Sequence, residues 1–305
     1  SVRTDAPFSL QPRELHPEDW WLAFDLSPSD PLAVFIETLI LKIGESRSNY
    51  SMADILRAIR EEDESDDIRK QAITRFESAD RWGLFSELAT PIRELAKAGQ
   101  ITVLDLSYYA ELPNGWKIKN LVLAMISSKL FVERMEARKR EEYKSIHDTI
   151  HYILEEHPDP DGKLMPLVWL FIDEAHEFLP AVGETGASQK LITLLREGRQ
   201  PGIAMVLATQ QPGKIHTDAM TQSDIILAHH LTAKIDTDAL GILLQSYLRE
   251  GLDTALKNLP RKPGAALIVD DQNERMFSVQ MRPRVSWHGG SAPGVLKEQK
   301  KAFDF

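Results

Sequence analysis

Residues 167 to 172, LVWLFI, carry no polar side chain, and the next two residues are Asp173 and Glu174. A strand that is apolar on both faces has to be covered on both faces. That is the position of a strand inside a parallel sheet, not of a half-solvated antiparallel one. GIAMVLATQQ (202–211) is a second run of this kind. Between the two, SQKLITLLREGRQ (188–200) has the three-and-four spacing of a helix. Strand, helix, strand in that order predicts a crossover unit. SDIILAHHL (223–231), GAALIVDD (264–271) and RMFSVQMRPR (275–284) continue the strand series, the last two as a hairpin across DQNE (271–274). IDTDALGILLQSYL (235–248) and REGLDTALKNL (249–259) read as helices between them.

The chain before this region has a different period. From Pro31, PLAVFIETLILKIG repeats apolar residues three and four apart, with Pro31 suited to the first helical position. SMADILRAIREEDE and SDDIRKQAITRFESADRWGLF continue the pattern, with Ser51 or Asp54 as cap candidates. Residues 1–98 therefore read as an irregular N-terminus followed by a helical block, and the acidic run at 60–67 as a solvated loop or helix face. Pro7, Pro12, Pro17 and Pro28 act as breakers in residues 1–30. QITVLDLS (100–107) reads as a strand ending near Asp105, and Lys117–Glu156 as one long helix. The expected fold class is α/β, a mainly parallel sheet flanked by helices with an N-terminal helical block. Residues 99–290 form the core and 291–305 a tail.

Composition excludes several classes. The chain has no cysteine among its 305 residues, so disulfides and thiolate metal sites are ruled out, and a cytoplasmic setting fits. No apolar run approaches the roughly 20 residues of a bilayer-spanning helix, and no membrane role is expected. The N-terminus SVRTDAPFSL has neither a basic nor an apolar signal region. The net charge of −10 restricts any nucleic-acid contact to a local basic surface. His176, His229 and His230 have no metal-site spacing, and no Gly-x-Ser-x-Gly elbow is present.

In open parallel sheets, ligands lie beyond the carboxyl ends of the strands. Asp173, Glu174, Thr209, Gln210 and Gln211 all fall at such ends. Phosphoryl hydrolysis needs an acid near a magnesium ion, a second acid to orient water, and a neutral donor for the terminal phosphate. The plainer alternative is a pair of strands ending in polar turns. Arg196 and Arg199 end the intervening helix and could meet phosphate oxygens or complement the helix dipole. A phosphate cradle of the form G-x-x-x-x-G-K-[ST] is missing, because neither Gly162-Lys163 nor Gly213-Lys214 is followed by Ser or Thr.

VWLFIDEAHEFLP, LLREGRQPGIAMVLATQQP, SDIILAHHL, GAALIVDD and RPRVSWHGG, in that order, resemble the HerA group of HerA/FtsK-type ring ATPases. The resemblance spans about residues 96–290, with ITVLDLS similar to that family's strand before the long helix. It implies a RecA-like P-loop NTPase core in a homo-hexamer that uses ATP and Mg2+ to translocate or unwind double-stranded DNA, often beside a NurA-type nuclease at DNA ends. By resemblance Asp173 supports magnesium, Glu174 polarises water, and Gln210 or Gln211 is the sensor, with Gln210 favoured. Arg199 resembles a finger reaching the neighbouring subunit, with Arg196 as its rival. DNA contacts would come from Tyr108–Lys119 and Ala181–Lys190, through Lys117, Lys119 and Lys190. The family's phosphate loop does not occur in this chain. That predicts the C-terminal part of a longer protein, binding nucleotide weakly or not at all by itself. A non-catalytic assembly module with a degenerate ATPase fold is the alternative.

Overall fold

The computed structural model describes residues 5–112, 114–150, 165–231, 233–243, 246–283 and 285. By internal contacts the chain divides into two units, 1–222 and 223–305. The helical block and the β-strands that carry the acids thus fall in one unit.

The first unit begins with helices α1 (Pro17–Phe24), α2 (Pro31–Ser46), α3 (Met52–Glu61), α4 (Asp66–Asp80) and the short α5 (Ile92–Leu95). In α2, Leu32, Phe35, Ile36, Leu39, Ile40 and Ile43 are buried, the face that the three-and-four spacing predicts. Ser51 caps α3 by accepting from the Asp54 N–H, and the Asp54 carboxylate accepts from the Ser51 N–H at 3.0 Å. The α1 helix was not expected. Pro17 opens it at the first helical position, where the missing N–H costs nothing. Asp19 then accepts the His16 N–H at 2.8 Å. Trp20 of α1 is fully buried and meets Phe76 of α4 at 4.9 Å between ring centroids. This aromatic contact seats the N-terminal segment on the block.

The 36-residue helix α6 (Gly115–Ile150) runs unbroken through the charged KREEYKS stretch. Positions 151–156 of the expected helix lie outside the described residues. Its first half is buried almost all round, from Ile118 through Ile126, between the helical block and helix α7 (Ser188–Glu197). Residues 101–106, expected as a strand, have no regular structure. Ile101 and Val103 are 93% and 83% exposed. A β-branched run becomes a strand only with a partner for its backbone groups. Among the described residues this run has no strand beside it.

Strands β1 (Val168–Ile172) and β2 (Ile203–Leu207) pair in parallel, Val168 opposite Ile203 and Ile172 opposite Leu207, with α7 as the crossover. The α/β class holds. Cover is one-sided among the described residues: Trp169 and Phe171 of β1 are 67% and 69% exposed, their rings stacked at 6.4 Å. The short helix α8 (Thr217–Thr221) closes the first unit.

In the second unit, β3 (Ile225–Ala228) pairs antiparallel with β4 (Ala265–Asp270), after α9 (Lys234–Leu243) and α10 (Ser246–Asn258). The expected hairpin joins β4 to β5 (Arg275–Gln280), with Glu274 in the left-handed region at φ 52°. These three strands form an antiparallel sheet, so parallel pairing is seen at β1–β2. Among the described residues no helix is long and apolar enough to cross a membrane. Most of the RPRVSWHGG segment and all of 291–305 lie outside the described residues.

Candidate functional site

Parallel pairing brings the carboxyl ends of β1 and β2 side by side. The ladder continues past both strands: Ala208 donates to the Ile172 carbonyl at 2.9 Å, and Ala175 donates to the Ala208 carbonyl at 2.9 Å. Between these bonds the chain turns sharply. Glu174 adopts the left-handed conformation at φ 47° and ψ 45°. Such a backbone costs a non-glycine residue on the order of 1–3 kcal/mol, and strain of this kind collects at functional sites. Here it aims the Glu174 carboxylate across the gap to the neighbouring strand end.

The amide of Gln210 donates to Glu174 Oε1 at 2.7 Å. The Asp173 carboxylate accepts the Glu174 N–H through Oδ1 at 2.9 Å and is exposed. Glu174 Oε2 is buried and without a hydrogen-bond partner. His176 packs beneath, its Nδ1 3.0 Å from Thr209 Oγ1 and 3.5 Å from Glu174 Oε2. The Gln211 amide nitrogen lies 3.3 Å from His176 Nε2, and the Gln211 N–H donates to Thr209 Oγ1 at 3.0 Å. Asp173, Glu174, Gln210 and Gln211 thus gather at one place. Gln211 faces His176, and Gln210 faces the acid. The sequence reading weighed His176 only as a metal ligand and missed it as an organiser. Its spacing two residues past Glu174, at the mouth of the turn, was the available signal.

The arginines lie elsewhere. Arg199 is exposed in the turn before β2, at the opposite end of that strand from Gln210. The five residues of β2 alone span about 13 Å at roughly 3.3 Å per residue. Arg199 makes no side-chain hydrogen bond or ion pair among the described residues. Arg196 pairs with Asp218 of α8 at 2.5 Å. Of the lysines, Lys117 pairs with Asp25 at 3.0 Å. Lys119 is two positions on, about 200° around α6 from Lys117, so the two point to different sides. Lys190 is exposed in the first turn of α7, near Asp19. Burial pushes the Asp19 carboxyl above its ordinary range, against the His16 N–H and the Lys190 charge, which pull it down.

Among the described residues no three His, Asp or Glu side chains could hold a metal together. Magnesium does not need such a set. It commonly takes one or two carboxylates and completes its shell with water and phosphate oxygens. Asp173, exposed and with Oδ2 uncommitted, fits that single-ligand role. The orphaned, buried Oε2 of Glu174 fits a water as its partner.

No family model matches the chain. It is 28% identical over 148 residues to the DNA double-strand break repair helicase HerA of Pyrococcus furiosus, which covers 47% of this chain and 26% of that protein. It is also 28% identical over 136 residues to the probable DNA double-strand break repair helicase HerA of Methanocaldococcus jannaschii, over 41% of this chain and 25% of that protein. The chain is HerA-like in sequence. It spans about a quarter of the length of these HerA relatives. Among solved structures, the genome packaging NTPase B204 of Sulfolobus turreted icosahedral virus 2, in complex with ATP-gammaS, aligns over 62% of this chain and 71% of its own, at 16% identity and a TM-score of 0.36.

Proposed function

We propose that this HerA-like chain supplies the hydrolysis side of an ATP-driven, ring-forming translocase or helicase acting on double-stranded DNA. One contact carries the reading: the Gln210 amide on Glu174 Oε1, at the adjoining ends of two parallel strands, with Asp173 beside them. A polar turn alone gives no reason for a strained glutamate to meet an amide from the next strand.

Each residue has work that its position allows. Glu174 keeps Oε1 tied to Gln210 and leaves Oε2 buried without a partner, the oxygen to accept a proton once a water is admitted beside it. Asp173 offers Oδ2 to a magnesium ion. The Gln210 amide donates to the carboxylate, and the same N–H could donate to a phosphate oxygen instead. That makes it a sensor whose partner reports the state of the site. Bound Mg–ATP supplies the electrophilic phosphorus and the cation charge. A glycine-rich cradle for its phosphates must come from outside this chain, because no such loop is in its sequence. Arg199 cannot serve the acids of its own chain from the far end of β2, so it is the residue to reach a neighbouring subunit in a homo-hexamer.

Lys117, Lys119 and Lys190 remain the candidates for phosphate contacts to DNA, with Lys117 already engaged by Asp25. Work beside a NurA-type nuclease in the cytoplasm completes the proposal. The deciding experiment is Glu174→Gln in the full-length protein. ATP turnover is expected to vanish while nucleotide binding persists. Turnover near the wild-type rate would overturn the hydrolytic reading and leave the assembly module in its place.

A further inference from the structure

The geometry points to His176 as a positioning residue, one that locks the loop after β1 to the loop after β2 and thereby holds Glu174 with its free oxygen facing inward. This rests on the hydrolytic reading of Glu174.

The two strand-end loops meet through main-chain bonds at Ala175 and Ala208. The left-handed backbone at Glu174 aims the side chain across the gap but does not fix which way its two oxygens face. Gln210 restrains Oε1 only, by one amide at the rim. On the inner side the imidazole of His176 is the group within reach of Oε2. The ring is 15% exposed and has polar neighbours on both nitrogens. With the Gln211 amide nitrogen as donor, the tautomer that fits has Nε2 unprotonated and the hydrogen on Nδ1. The Nδ1–H then donates to Thr209 Oγ1 and presents its positive edge to Glu174 Oε2 at 3.5 Å. That distance is too long to satisfy the carboxylate oxygen, which keeps no hydrogen-bond partner, but the Nδ1–H edge faces it and favours one orientation of the side chain. Thr209 is itself fixed by the Gln211 N–H. The chain Glu174, His176, Thr209, Gln211 is therefore a closed link between the acid and the residues beside the sensor. A nearby group that fixes a catalytic side chain in this way acts through geometry, not by touching the substrate.

The test uses His176→Ala, His176→Asn, Thr209→Val and the His176→Ala/Thr209→Val pair in the full-length protein, beside Glu174→Gln. His176→Ala is expected to lower kcat about 10-fold or more with KM for ATP within about twofold, the pattern of a lost orienting contact. Thr209→Val should do the same to a smaller degree. The double variant should fall no further than the worse single one, because both break one link. Asn places an amide near the Nδ1 position and should restore most of the rate. Additive losses, or a fall in thermal stability with kcat unchanged, would overturn the assignment. In parallel, imidazole 15N shifts should place the ring hydrogen on Nδ1 and should change with Thr209→Val. A ring that exchanges tautomers freely and ignores that substitution would also overturn it. If Glu174→Gln keeps turnover, the hydrolytic reading falls by itself, and the shifts still decide whether His176 holds the two loops together.

Discussion

Removing Arg134 should loosen both strands that carry the site. The guanidinium is 1% exposed, on α6. Its Nε donates to the Pro201 carbonyl at 2.7 Å, and its Nη1 donates to the Met165 carbonyl and to Glu141 Oε1, the latter at 3.2 Å. Pro201 stands two residues before β2 and Met165 three residues before β1. One side chain therefore fixes the starting ends of both strands to one helix. Arg134→Ala leaves two buried carbonyls without donors and a cavity, while Glu141 keeps Arg138 at 3.6 Å. Hydrogen bonds to charged groups contribute about 1.5–3 kcal/mol each, and two of these go to buried carbonyls. A loss of about 3–5 kcal/mol is expected, a large part of the roughly 5–15 kcal/mol that stabilises a domain. With a urea m-value of about 3 kcal/mol/M, the midpoint should fall by about 1 M or more. Amide exchange should accelerate first in Val168–Ile172 and Ile203–Leu207. Arg134→Lys keeps the charge but not the fork, and should lie between wild type and alanine. If alanine stays within about 1 kcal/mol of wild type and leaves strand exchange unchanged, the pin is not what holds these strands.

Other outcomes follow from single positions. Gly202 has φ 83°, and a Cβ there would lie 2.4 Å from Leu167 Cδ2, so Gly202→Ala should lower stability by about 1–3 kcal/mol in thermal melts. Adding Leu167→Ala should recover the steric part and leave the cost of the left-handed backbone. Hydrogen bonds from the Ser51 N–H and hydroxyl, with the Arg47 charge, hold the Asp54 carboxyl below its ordinary range. Its folded pKa is depressed, so its contribution is complete above the unfolded pKa and is lost as pH falls through the folded one. Asp54→Asn should accordingly destabilise near neutral pH and flatten the acid limb of the stability–pH curve, followed by urea midpoints from pH 7 down to acid. In the proposed ring, Arg199→Ala subunits mixed with wild type should depress ATP turnover by more than their share. Strict proportionality to the wild-type fraction would remove Arg199 as a trans-acting residue.

Periodicity served well where one face is buried by neighbours close in sequence. The α2 positions Leu32 through Ile43 are of that kind, and so is the strand–helix–strand unit around α7. Local signals failed where the partner decides. Pro17 reads as a breaker or as a helix opener with equal justice, and only the burial of Trp20 selects the helix. ITVLDLS has strand chemistry but, among the described residues, no strand to pair with. β3 has the apolar composition of a parallel strand, yet its pairing with β4 runs antiparallel, a matter of register that its own residues do not state. At the site, Asp173, Glu174 and Gln210 were legible because strand ends in parallel sheets place residues predictably. His176 and Arg134 were not. Their roles depend on residues 33 and 67 positions away, Thr209 and Pro201, which no local pattern connects.

The site is thus an exposed arrangement built on a buried one. The left-handed turn at Glu174 is unfavourable by itself and persists because the bonds at Ala175 and Ala208 clamp it from both sides. Those bonds in turn require β1 and β2 to stay in register, and Arg134 and Gly202 set where each strand begins. A slip at the start of β2 would carry Gln210 away from Glu174 and Thr209 away from His176 together. Stability at the buried ends of the strands and alignment at their polar ends are therefore one property. A substitution more than about 10 Å from the acids can then disturb them as much as one beside them, through strand register and without touching any group that meets a nucleotide.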